Sequence, residues 1–155
     1  MLKDQTDLLR AFNTAHVRYL LIGAYALGRY TEPRATRDLD VFVDASVENS
    51  YRTFEGLALF GAPLAGYKPE DFQTVYESFQ IGAPPYEIDV IFAISGVSFD
   101  EAWAHSIEGV TSEGIPVRYL SAEHVMLNKI AAGRLQDLAD VAAVKASKLA
   151  NGDSG

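Results

Sequence analysis

His16-Val17-Arg18-Tyr19-Leu20-Leu21-Ile22-Gly23-Ala24, followed further along by Asp38-Leu39-Asp40-Val41-Phe42-Val43-Asp44, decides the fold. The first stretch is a short, nearly continuous apolar run and predicts a buried strand over 16–22. Gly23 ends it, and Ala24 to Tyr30 reads as a turn or two of helix. Glu32-Pro33-Arg34 is a loop, because the residue before proline avoids the helical region. The second stretch predicts a strand over 38–44. Leu39, Val41 and Val43 share one face, and Asp38, Asp40, Phe42 and Asp44 share the other.

Working outward, Leu8, Leu9 and Phe12 recur at helical spacing from Asp4 to Ala15, with Asp4 or Thr6 as candidate N-cap. Ser46 caps a helix running to Phe60, stopped by Gly61 and Pro63. Residues 62–71 form a Gly- and Pro-containing loop. Strands are expected over Phe72 to Ile81 and Tyr86 to Ile94, either side of Gly82-Ala83-Pro84-Pro85. A short helix over Phe99 to Ala104 precedes a hairpin, Gly109 to Glu113 and Ile115 to Leu120. Two helices, Ser121 to Ala132 and Leu135 to Ala150, close the chain around Gly133. The expectation is one α/β domain over 1–150, a small mixed sheet with helices on one side and a C-terminal helical pair, and a disordered tail over 151–155.

Asp38 and Asp40 carry the first hint of chemistry. On a strand, residues i and i+2 point the same way with Cα atoms about 6.6–6.8 Å apart. Two carboxylates at that spacing are costly together unless a cation sits between them. Hard oxygen ligands suit Mg²⁺ or Mn²⁺, particularly beside substrate phosphates. The plain alternative is a strand whose second face is wet. Asp89 alternates with the apolar Ile88, Val90 and Phe92, so a neighbouring strand about 4.8 Å away could bring it to the same pair. Gly23, between a buried strand and a helix start, offers unsatisfied N–H groups to an anion. It is not a Walker loop, since no Gly-Lys-Ser/Thr follows.

The composition narrows the classes. The chain has 155 residues, 48% of them hydrophobic, enough for a sizeable core. It has no Cys, which excludes disulfides, thiolate metal sites and a thiol nucleophile. The three histidines, His16, His105 and His124, form no ligand-like pair along the chain and read as ordinary surface or half-buried residues. Thirteen basic against 21 acidic residues give a net charge of −8, which disfavours bare nucleic-acid or anionic-membrane binding. With no signal peptide and no run long enough to span a bilayer, a soluble, cytoplasmic protein is expected.

The strings Leu20-Leu21-Ile22-Gly23-Ala24-Tyr25-Ala26 and Arg34-Ala35-Thr36-Arg37-Asp38-Leu39-Asp40-Val41, with Tyr86-Glu87-Ile88-Asp89-Val90, resemble the signature of the DNA polymerase β-type nucleotidyltransferase superfamily. The nearest branch is the minimal nucleotidyltransferases, including the toxin-like enzymes of abortive-infection systems. The likeness runs through Asn128-Lys129-Ile130 to Asp140 and covers roughly 16–144. It implies that Asp38 and Asp40 hold two divalent ions, Mg²⁺ or Mn²⁺, and the NTP triphosphate. Asp89 would be the third ligand and the group that activates the acceptor hydroxyl. Gly23 and Ala24 would cradle the phosphates, although Ala24 stands where many relatives carry a serine whose hydroxyl touches phosphate.

Arg34 and Arg37 read either as loop charge or as triphosphate contacts, with Thr36 giving a hydroxyl. Lys129 reads either as a snorkelling lysine or as a phosphate contact. Arg134, Asp137 and Asp140 read as structural, and Trp103 as core rather than a base-stacking platform. The implied activity is transfer of a nucleoside monophosphate to a small-molecule, RNA or protein hydroxyl, with a homodimer as one assembly. The alternatives are a tRNA- or protein-modifying toxin held by an antitoxin partner, and a non-catalytic nucleotide-binding module.

Overall fold

The structure, a computed structural model, describes residues 1–32, 38–74, 77–83 and 86–152. It is mixed α/β. Six strands form one open sheet in the order β3-β4-β2-β1-β6-β5, where β1 is Tyr19–Ile22, β2 Leu39–Val43, β3 Phe79–Ile81, β4 Ile88–Ile91, β5 Ile107–Val110 and β6 Pro116–Tyr119. β2 runs antiparallel to β1 and parallel to β4. β6 is parallel to β1, and β3 and β5 are antiparallel edge strands.

Each face of the sheet carries its own core. Leu39, Val41 and Val43 of β2, with Ile88 and Val90 of β4, pack under α1 (Lys3–Thr14) and α3 (Val47–Phe60) through Leu8, Leu9, Phe12 and Leu57. On the opposite face Leu20, Ile22 and Phe42 pack under α2 (Gly23–Tyr30), α4 (Phe99–Ala104), α5 (Ala122–Ala132) and α6 (Leu135–Ala150), through Ala26, Leu27, Ala102, Val125 and Val144. The second face of β2 is therefore dry at its middle. Phe42, expected among acids, is buried edge-to-face on Phe99 with ring centres 5.1 Å apart. Both ends leave the apolar layer, one at Asp44, which pairs with Arg18 at 2.9 Å, and the other at Asp38 and Asp40.

Local chemistry explains the boundaries. Ser46 caps α3 by accepting the Asn49 N–H at 3.3 Å, and Gly61 closes it in the left-handed region. Asn49 is buried: its Oδ1 accepts the Arg18 N–H at 2.8 Å, and its amide donates to the carbonyls of Arg18 and Asp44. One side chain thus fastens the start of β1 to the end of β2. α1 starts one residue before the expected Asp4, after Leu2, whose N–H donates to the Gln5 side chain at 3.1 Å. The expected 72–81 strand is shorter, because Pro69–Gln73 forms a 3-10 turn that sinks Phe72 into the core. The hairpin strand over 109–113 shifts to β5, with its turn closed by the Thr111 N–H on the Ile115 carbonyl at 2.9 Å. Asn151 caps α6; residues 153–155 lie outside the described residues. Among the described residues no helix is long and apolar enough to cross a membrane.

Candidate active site

Strand register brings the acids together. Asp40 sits opposite Asp89 in the parallel β2–β4 pairing, and Asp89 sits opposite Gln80 in the antiparallel β3–β4 pairing. On the other side Asp40 faces Ile22, the last residue of β1 before Gly23. Ile22, Asp40, Asp89 and Gln80 therefore form one row across four strands. The register sets the Asp40 and Asp89 carboxyls side by side, close enough for each to shift the other's protonation. Burial, then the neighbouring acids led by Asp89, pushes the Asp40 carboxyl up to about 7. Burial also raises Asp89, against the opposing hydrogen bonds from Asp40 and Gln80. Asp89 Oδ1 is still buried without a hydrogen-bond partner.

Asp38 reaches the same end of the sheet by a different contact. Its Oδ1 accepts the Glu87 N–H at 2.9 Å while the Glu87 carbonyl accepts the Leu39 N–H at 3.0 Å, so Asp38 clamps the starts of β2 and β4. Glu87 is half-buried, and burial with Asp89 and Asp38 raises its carboxyl. Among the described residues no group of three or more His, Cys, Asp or Glu side chains is set to hold a metal ion. The donor set of Asp40 and Asp89 nonetheless suits a hard cation. It pairs two neighbouring carboxyls with a buried orphan oxygen, and a cation between them would offset their mutual repulsion.

Gly23 completes the row. It has φ +63°, and a Cβ there would lie 3.1 Å from Asp40 Cγ and 3.2 Å from Asp40 Cβ, so glycine is required by backbone and by contact. α2 begins at Gly23 with no side-chain cap, leaving the N–H groups of its first turn, Ala24 among them, beside Asp40. Arg34, Thr36 and Arg37 lie outside the described residues.

Lys129 sits elsewhere. Its ammonium lies 3.3 Å from Asp137 Oδ1 and 3.2 Å from Asp140 Oδ2, inside the α5–α6 hairpin. A phosphate contact would need both ion pairs to open. Arg134 binds Asp137 at 2.6 Å, and with Lys129 it holds that carboxyl down to about 2. Trp103 stacks on Phe99 at 5.9 Å, with the Arg18 and Arg118 guanidiniums each 4.8 Å from its ring centre.

Two features escape the sequence. Gln80 reaches Asp89 only through β3–β4 register, and alternation alone cannot supply a register. His105 and His124, distant along the chain, have ring centres 5.5 Å apart. No protein-family model matches this sequence, and no curated protein sequence matches it.

Proposed function

We propose that the protein is a metal-dependent nucleotidyltransferase that moves a nucleoside monophosphate from an NTP to an acceptor hydroxyl and releases pyrophosphate. The observation that carries this reading is the Asp40–Asp89 pair held side by side against Gly23 at the uncapped start of α2. The resemblance of the strings around Gly23, Asp38–Asp40 and Asp89 to the polymerase β-type superfamily supports it.

Asp40 and Asp89 would hold the divalent ions, Mg²⁺ or Mn²⁺, with Asp38 as the third ligand once it exchanges its bond to Glu87. When bound, two such ions neutralise the triphosphate and stabilise the attacking and leaving oxygens of an in-line displacement. The protein's own part is positioning. The first-turn N–H groups of Gly23 and Ala24 donate to phosphate oxygens, and the positive end of α2 favours their charge. Asp89 takes the proton of the acceptor hydroxyl as its oxygen bonds to the α-phosphorus and the bond to the β-phosphate breaks. Arg34, Arg37 and Thr36 are assigned to the triphosphate from the sequence resemblance. A cytoplasmic location fits an NTP substrate. The toxin–antitoxin reading differs only in the acceptor, RNA or protein, and in a partner that holds the enzyme in check.

The test is thermal denaturation with ATP or GTP, in Mg²⁺ and in EDTA. Nucleotide with Mg²⁺ is expected to raise Tm by mass action, and nucleotide with EDTA to leave it near the unliganded value. Equal shifts in the two conditions would overturn the metal-dependent site. Labelled NTPs incubated with tRNA, protein or hydroxylated small molecules then identify the acceptor.

A further inference from the structure

His105 and His124 lie apart from the carboxylate row and take no part in the function proposed above. His105 is the C-terminal cap residue of α4, and His124 sits in the first turn of α5. Their rings meet edge to face, 5.5 Å between centres and 80° between planes. His124 is more than nine-tenths buried, and its Nδ1 has no hydrogen-bond partner. A buried ring nitrogen without a partner is an exception that asks for a reason. His105 is exposed, so its ring can turn about χ2 without disturbing packing.

We propose that His105 and His124 form a binding site for a borderline transition-metal ion of the Zn²⁺, Ni²⁺ or Cu²⁺ class, bridging the end of α4 to the start of α5. Imidazole nitrogens suit these ions, and the carboxylate row, a hard oxygen site, does not select them. The separation fits. Two imidazoles on one tetrahedral ion, with metal–nitrogen bonds of about 2.0–2.1 Å, place their ring centres roughly 5.2 Å apart. The nearest acid along the chain, Glu123, is paired with Lys148 at 2.8 Å, so the remaining positions on the ion go to water or an added ligand. Such a site acts as a structural staple, since the ion binds the folded chain and not two histidines scattered in an unfolded one.

The test titrates Zn²⁺ and Cu²⁺ into the full chain, reading stoichiometry by calorimetry, Tm by melting, and the number of coordinated nitrogens by Cu²⁺ electron paramagnetic resonance. A raised Tm and one ion carrying two coordinated nitrogens are expected, whereas an ion on the carboxylate row carries none. His105→Ala, at an exposed position, is expected to fold normally, weaken binding at least tenfold and reduce the nitrogens to one. Unchanged zinc affinity in His105→Ala would overturn the site, as would failure of the wild type to bind either ion.

Discussion

The carboxyl of Asp40 occupies the space where a side chain on Gly23 would begin, and Gly23 holds a left-handed φ of +63° to let it. The first residue of α2, directly after β1, and an acid on the antiparallel β2 thus fix each other: the glycine makes room, and the acid fills it.

Gly23→Ala is therefore expected to suffer twice, about 1–2 kcal/mol for the left-handed backbone and a further 1–2 kcal/mol from overlap with Asp40. In an Asp40→Ala background the overlap with the carboxyl is gone and only the backbone share and the 3.2 Å approach to Cβ remain, giving a coupling of about 1–2 kcal/mol between the sites. Denaturant unfolding of wild type, both single variants and the double variant measures it. An equal cost in both backgrounds shows that the contact does not select glycine.

The raised Asp40 carboxyl beside Asp89 sets a pH dependence. The folded Asp40 carboxyl titrates at about 7, well above its unfolded value of about 3.9, so between these values the fold binds the extra proton. Metal-free protein should be most stable below about pH 4 in this respect. It should lose stability as pH rises to about 7, at up to roughly 1.4 kcal/mol per pH unit. Asp40→Asn keeps a neutral group at every pH, so its stability relative to wild type should grow across that window. It should stand about 1–2 kcal/mol above wild type at pH 7.5 in EDTA, with the order reversed by Mg²⁺ and nucleotide. Melts of both proteins from pH 4 to pH 8 decide the matter. A constant difference shows that Asp40 does not carry the proton.

Much of this was legible before the structure. The helix over 47–60 announces itself by Ser46 and Gly61, and the α5–α6 pair by Ser121 and Gly133, because caps are local chemistry. Asp38, Asp40 and Asp89 stood out because acids interrupt apolar strands. Neighbouring elements settled the rest. Phe42 looked like part of a wet face because nothing in β2 itself says that α2 and α4 will cover it. Phe72 looked like a strand residue because an aromatic buried by a 3-10 turn has no period to betray it. Gln80 and the His105–His124 pair depend on register and on tertiary approach, which single-chain patterns do not carry.

Lys129 separates a structural from a substrate role. Its ammonium bridges the buried Asp137 and Asp140, while Arg134 still holds Asp137 and the Gln136 amide still donates to Asp140 at 2.7 Å. Lys129→Met keeps the apolar stem and removes the charge. A loss of about 2 kcal/mol is expected, short of the ~3–5 kcal/mol for a buried pair broken outright. Mg²⁺–ATP affinity, measured below the variant's melting range, should change less than threefold. Normal stability with a tenfold loss of nucleotide affinity shows that Lys129 serves phosphate and that the ion pairs open on binding.

Asp89 bears the strongest functional demand. It lies beside Asp40, sits opposite Gln80, and keeps one oxygen buried without a partner. In the proposed reaction it both holds a cation and receives the hydroxyl proton. Asp89→Asn preserves shape and can hydrogen-bond to Asp40, so the fold should be as stable as wild type within about 1 kcal/mol. Asparagine cannot take the proton, and it offers a cation one neutral oxygen in place of a carboxylate. Transfer to the acceptor should fall by several orders of magnitude, while nucleotide affinity in Mg²⁺, still supported by Asp38, Asp40 and the α2 N–H groups, should fall by about tenfold or less. Single-turnover transfer and equilibrium nucleotide binding on the same preparation separate the two effects. Wild-type transfer by a folded Asp89→Asn protein would reduce Asp89 to a strand residue that balances Asp40, and would remove the acceptor-activating step from the mechanism.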